Sequence, residues 1–121
     1  MPRRLRQTEA PIKKACLQWL WANRIFAYRQ NQGTMTFEAT ATTKRRHFKF
    51  ASVDGISDII GIYRGRYLAI ETKAPGNRPT EAQAAFLQRV RDEGGYATWV
   101  TSVEELEAFI AHIEQEAVAC K

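Results

Sequence analysis

Ser57-Asp58-Ile59-Ile60-Gly61-Ile62-Tyr63-Arg64-Gly65-Arg66-Tyr67-Leu68-Ala69-Ile70-Glu71-Thr72-Lys73 is the stretch on which the reading of this chain turns. Two apolar-rich runs, 57–63 and 66–73, flank Arg64-Gly65. That spacing predicts two antiparallel strands joined by a two-residue loop. With Tyr63 opposite Arg66, counting outward from the turn brings Asp58 opposite Glu71. Directly opposed side chains have Cβ atoms about 4.5–5.5 Å apart. The pleat puts Asp58 on the face of Ile60 and Ile62, and Glu71 on that face with Ala69 and Lys73. Two carboxylates so placed repel and raise each other's pKa unless positive charge lies between them. A hard divalent cation such as Mg²⁺ answers that need, taking carboxylate oxygens, waters and substrate phosphate. Lys73 is placed to bring an ammonium to the same spot, where it can orient a water or stabilise charge on a scissile phosphate. The stretch therefore predicts a metal site for phosphodiester hydrolysis, provided that no bulge or one-residue slip separates the pair. The plainer account of Asp, Glu and Lys on strands is edge protection and solubility.

Working outward, Glu9 to about Asn23 reads as a helix, with Ile12, Ala15, Cys16, Trp19 and Leu20 on one face. Thr8 is its expected N-cap, and Pro11 fits its first turn. Residues 25–29 read as a short strand, and 30–43, polar and threonine-rich, as a loop or irregular edge. Lys44-Arg45-Arg46-His47 is a basic cluster, followed by the alternating Phe48-Lys49-Phe50. Val53-Asp54-Gly55 is a turn. Past the hairpin, residues 74–79 break the sheet. Thr80 caps a helix to about Glu93, with Ala82, Phe86, Leu87 and Val90 inward and Gly94-Gly95 ending it. Residues 96–101 form a short strand. Ser102 and Glu105 make a capping box for a last helix, whose apolar side is Val103, Leu106, Phe109, Ile110 and Ile113. The expected fold class is α/β, a mixed sheet flanked by helices in the order α-β-β-β-α-β plus a C-terminal helix.

Composition fits one domain, residues 1–121. The 121 residues are 45% apolar, enough for one core and too few for two. Lys plus Arg number 18 against 13 for Asp plus Glu, a net charge of +5 that suits a polyanionic partner. Residues 1–7, with Arg3, Arg4 and Arg6, are expected to be a flexible basic arm. No apolar run approaches a membrane span and no signal core follows the basic start, so a soluble, cytoplasmic protein is expected. Cys16 and Cys120, with only His47 and His112, make neither a disulfide framework nor a zinc pattern. G-x-S-x-G, P-loop and G-x-G-x-x-G motifs are missing, and no nucleotide cofactor is expected.

Gly55-Ile56-Ser57-Asp58-Ile59-Ile60-Gly61, then Gly65 to Lys73, then Thr80-Glu81-Ala82-Gln83 and Gly94-Gly95, together resemble the VRR-NUC family, a branch of the PD-(D/E)xK nucleases. The resemblance runs from Glu9 to about Thr101. It implies a restriction-endonuclease-like core and a structure-selective, Mg²⁺- or Mn²⁺-dependent DNA endonuclease. Stand-alone members are similar to Holliday-junction resolvases acting as homodimers, and two symmetric cuts need two active sites. Asp58 matches the family's metal-binding Asp, Glu71 its second acidic ligand and Lys73 its catalytic Lys. Ser57 stands where a Pro is expected. Gln83 matches a motif glutamine. Thr8-Glu9-Ala10-Pro11-Ile12 looks like the opening helix whose Glu joins the active site, and Lys13 stands where the family often has Gln. Tyr28-Arg29-Gln30-Asn31-Gln32-Gly33 resembles an Arg-x-Asn-x-Gly stretch. The implied metal ligands are Glu9, Asp58 and Glu71, with a backbone carbonyl from Ile70 or Thr72. Water activated at the metal would attack phosphorus while Lys73 assists.

The other candidates have plainer alternatives. Glu9 is also a first-turn acid of the kind a helix dipole favours, and Gln83, a catalytic candidate one turn into its helix, holds a water or a ligand carboxylate or is an ordinary exposed glutamine. Arg29 and Asn31 contact phosphate or brace the site, or solvate a strand end. Lys44, Arg45, Arg46, His47 and Lys49 suit DNA phosphates without reading sequence, or form a solvated basic loop. Two rival functions remain: a catalytically idle nucleic-acid-binding module, and a nuclease without junction selectivity.

Overall fold

A computed structural model describes residues 9–30, 34–37, 46–49 and 53–119. The elements, in order, are α1 (Glu9–Ala22), β1 (Phe26–Arg29), β2 (Thr34–Phe37), β3 (Arg46–Lys49), β4 (Ile59–Tyr63), β5 (Arg66–Thr72), α2 (Glu81–Asp92), β6 (Tyr96–Val100) and α3 (Val103–Ala119). Four strands form one mixed sheet in the order β1-β4-β5-β6. The first two pairings are antiparallel and β5-β6 is parallel, joined through α2. The described residues thus form an α/β fold with three helices, as the alternating periodicities predict.

The hairpin has the expected register. Tyr63 lies opposite Arg66 and Ile59 opposite Ile70. Arg64 and Gly65 both have positive φ, 53° and 76°, the backbone of a turn whose twist matches that of paired strands. One correction falls between β1 and β4. Residues 34–37, expected within a loop or irregular edge, form the regular strand β2 and pair antiparallel with β3, Thr34 opposite Lys49 and Phe37 opposite Arg46. Alternation in Thr34-Met35-Thr36-Phe37 is a strand signal that the threonine content obscured. The basic arm, Thr8, Asn31, Lys44, Arg45 and Cys120 lie outside the described residues.

Strand alternation splits the core in two. On one side Ile59, Leu68, Ile70 and Val100 pack with Cys16, Leu17 and Leu20 of α1 and Leu106, Ile110 and Ile113 of α3. On the other, Ile60, Ala69 and Ala97 pack under Leu87 and Val90 of α2. Ala82, expected inward, is exposed, because Leu87 and Val90 carry the contact. Each fully buried leucine contributes about 1.5–3 kcal/mol through removal from water. Phe26, Ile62 and Tyr67 are ladder neighbours across β1, β4 and β5 and stay exposed.

Helix ends are set locally. α1 stops where Arg24 turns left-handed, letting the Ile25 N–H reach Leu20 O at 2.9 Å and the Arg24 N–H reach Trp21 O at 3.0 Å, a Schellman ending. It brings Ile25 into the core beside Leu20. At α3 the Ser102 hydroxyl accepts from Glu105 N–H at 3.2 Å, while the Glu105 carboxylate reaches back to Thr101. Among the described residues no helix is long and apolar enough to cross a membrane.

Candidate active site

Glu71 and Lys73 lie on the same strand face, carried to one end of the sheet by β5. Lys73 is pinned by its N–H to Val100 O at 2.9 Å, which extends the β5-β6 pairing by one residue. Asp58 arrives differently. The β4 ladder stops at Ile59, one residue short of the opposition that the spacing predicts. Asp58 occupies a bend whose carbonyl accepts from Gln30 N–H at 2.7 Å. Ser57 donates its hydroxyl to Ile59 O at 3.0 Å. The Asp58 carboxylate turns across to Thr72, and Oδ2 accepts from the Thr72 N–H at 3.1 Å and hydroxyl at 2.9 Å. Asp58 and Glu71 are thus close neighbours without forming a ladder pair.

Five consecutive or facing polar residues are buried here: Ser57, Asp58, Glu71, Thr72 and Lys73. Burying charge is costly unless it is paired, and the pairing is incomplete. Gln83 Nε2 donates to Glu71 Oε1 at 3.2 Å, yet Glu71 Oε2 is buried with no hydrogen-bond partner. Burial, and then the Asp58 carboxylate beside it, push Glu71 up to about 8, against the pull of Lys73.

The helices close the site from both faces of the sheet. From α2 comes Gln83, which has two tasks. Its Oε1 accepts from the Thr80 N–H at 2.9 Å, its own N–H donates to the Thr80 hydroxyl at 3.2 Å, and its amide nitrogen holds Glu71. The Val53-Asp54-Gly55 turn packs on the start of this helix. A Cβ at Gly55, where φ is +73°, would lie 2.2 Å from Ala82 O. From α1 come Glu9 and Lys13, one helical turn apart. Glu9 Oε1 lies 3.7 Å from Lys73 Nζ, and Lys73 Nζ is 4.0 Å from Glu71 Oε1. Glu9 therefore reaches the site through Lys73. Lys13 Nζ is 3.3 Å from Asp58 Oδ1.

Of the residues singled out from the sequence, Glu9, Asp58, Glu71, Thr72, Lys73 and Gln83 come together here. Ile70 is buried in the core beneath them. Arg29 is exposed at the end of β1, and Arg46, His47 and Lys49 lie on β3. Among the described residues no three His, Cys, Asp or Glu side chains are grouped closely enough to hold a metal by themselves. Any cation would rest on the Asp58–Glu71 pair, completed by backbone oxygen, water or substrate. Two contributors were not expected. Lys13 binds Asp58, although its place one turn after Glu9 was a signal. Thr72 contributes its hydroxyl and N–H, where only a carbonyl was expected. A groove of about 440 Å³ lined by Arg66, Tyr67, Phe86 and Val90 sits at the turn end of the hairpin and contains none of these residues. Compared with known proteins, the chain matches no protein-family model and no curated protein.

Proposed function

We propose that this chain is a Mg²⁺- or Mn²⁺-dependent DNA endonuclease with a restriction-endonuclease-like core, of the VRR-NUC kind, cutting phosphodiester bonds in branched DNA such as four-way junctions. The observation that carries the reading is the meeting of Asp58, Glu71 and Lys73 at one buried end of the hairpin, with Glu71 Oε2 unpartnered. That donor set fits a hard cation. An orphaned buried carboxylate oxygen beside a second carboxylate is costly without positive charge and is satisfied by it. Asp58 and Glu71 would hold the ion, with Ile70 or Thr72 offering a carbonyl. When bound, the ion supplies Lewis-acid charge at the phosphate and an acidified water.

The chain's own residues do the rest. Thr72 fixes Asp58 through Oδ2, and Gln83 fixes Glu71 through Oε1, so both carboxylates are oriented before substrate arrives. Lys73, held between Glu9 and Glu71, presents an ammonium that orients the attacking water and offsets charge gathering on phosphorus. Basic residues on β3 and in the 44–49 cluster suit phosphate contact along the duplex. Paired cutting of a junction calls for a homodimer, and the exposed Phe26, Ile62 and Tyr67 give a second copy apolar surface to cover.

The test is incubation of purified protein with labelled four-way junction, flap, linear duplex and single strand, with Mn²⁺ or with EDTA. Metal-dependent cleavage of the junction is the expected result. Equal cleavage of every substrate removes junction selectivity, and no cleavage of any removes the enzyme. The Lys13–Asp58 ion pair favours one second reading, a metal-free nucleic-acid-binding module in which an ammonium holds the place of the ion. Junction binding that is indifferent to EDTA, without cleavage, is its signature.

A further inference from the structure

Each of the two site carboxylates ties one oxygen to the fold and leaves the other over. Asp58 Oδ2 is held by Thr72, and Glu71 Oε1 by Gln83. The two remaining oxygens differ. Glu71 Oε2 has no hydrogen-bond partner, whereas Asp58 Oδ1 has the Lys13 ammonium at 3.3 Å. We infer that Lys13 is a built-in counter-ion that a divalent cation must displace from Asp58 Oδ1, so that this lysine sets how tightly the site binds metal.

The inference rests on the metal reading above and adds to it a residue that opposes binding. The geometry allows the exchange. Lys13 carries its charge on a flexible four-carbon stem, and its side chain is 18% exposed, so the ammonium has a way out to water. Asp58 does not depend on it for position, because the Thr72 contacts are made by the other oxygen. Lys73 plays a different part, since its ion-pair partners are Glu9 and Glu71. Once displaced, Lys13 becomes a free cation beside the phosphate that the site would hold. The Asp58 pair therefore ties up a ligand in the empty site and frees a phosphate contact in the loaded one.

Calorimetric titration of Mn²⁺ alone, without DNA, into wild type, Lys13→Gln, Lys13→Met, Lys13→Arg and Asp58→Asn tests this. Both neutral variants should bind Mn²⁺ about three- to tenfold tighter than wild type, the range expected for losing one partly buried competing charge. Lys13→Arg should bind no tighter than wild type, and Asp58→Asn should not bind. Methionine keeps the length of the stem, so the comparison stands on either neutral variant if the other fails to fold. Unchanged or weaker affinity in the neutral variants, with binding still lost in Asp58→Asn, overturns the role of Lys13 and leaves the metal site standing. No Mn²⁺ binding by folded wild type overturns both.

Discussion

The two ends of the β4-β5 hairpin are built from opposite materials. At the turn, Arg64 and Gly65 are exposed, and a Cβ at Gly65 would meet nothing within 4 Å. At the far end, Asp58, Glu71, Thr72 and Lys73 are all buried, and one carboxylate oxygen lacks a partner. One ladder joins them, so the register set where errors cost little is used where they cost most. A one-residue slip would exchange the faces of every side chain. The turn carries the instruction and the buried end carries the candidate site.

The sharpest way to separate the ends is Lys73→Ala. It should slow cleavage roughly 10²–10³-fold, the loss typical of one preorganised charge-stabilising donor, while junction affinity in a gel-shift assay stays near wild type. Retained cleavage would make Lys73 a buried structural charge. Next come two glycines of positive φ, one near each end. Gly55→Ala drives a methyl into the α2 backbone and should cost about 3 kcal/mol or more in urea unfolding. Gly65→Ala meets open space and should cost only about 1 kcal/mol, for backbone conformation alone. Equal costs would mean that the turn end is as constrained as the site end.

Acidity distinguishes the ends more finely. Glu71 sits at about 8 in the folded chain against 4.5 as its ordinary value. The folded state holds that proton more tightly than the unfolded one. The resulting stability is present below about pH 4.5 and is lost as pH rises through about 8. Metal-free protein should therefore weaken between those limits, by at most about 1.4 kcal/mol per pH unit from this group. Urea titrations in EDTA at several pH values check it. Glu71→Gln should flatten the slope, and saturating Mn²⁺ should raise the midpoint most at the alkaline side, where Glu71 is ionised. A slope unchanged by Glu71→Gln assigns it to another group.

Much of this was legible in the residues themselves. The two-residue loop gave the register, and 3.6-residue periodicity gave all three helices and most of their buried faces. What escaped has physical reasons. The ladder ends one residue early because Asp58 bends to reach Thr72, and neither propensity nor spacing encodes a bend made by one side chain. Residues 34–37 form a strand although their polar surroundings read as loop. Lys13 was visible as one turn beyond Glu9, but its partner lies in the bend before β4, some forty-five residues on, set by how α1 packs on the sheet. Gln83 was expected to hold a water or a ligand carboxylate, or to face solvent, and it does hold the Glu71 carboxylate; that reading overlooked Thr80-x-x-Gln83 as a capping pattern in plain view.

That glutamine has a consequence for which sequences the fold accepts. At the third position of a helix, glutamate completes a capping box as well as glutamine and suits the helix dipole better. Here an acid would accept from Thr80 equally well and would then set a third carboxylate against Glu71. Only an amide accepts a hydrogen bond from the helix start with one atom and donates one to the site with the other. Position 83 is thus a junction of two grammars, and a substitution harmless to the helix would be an error in the site.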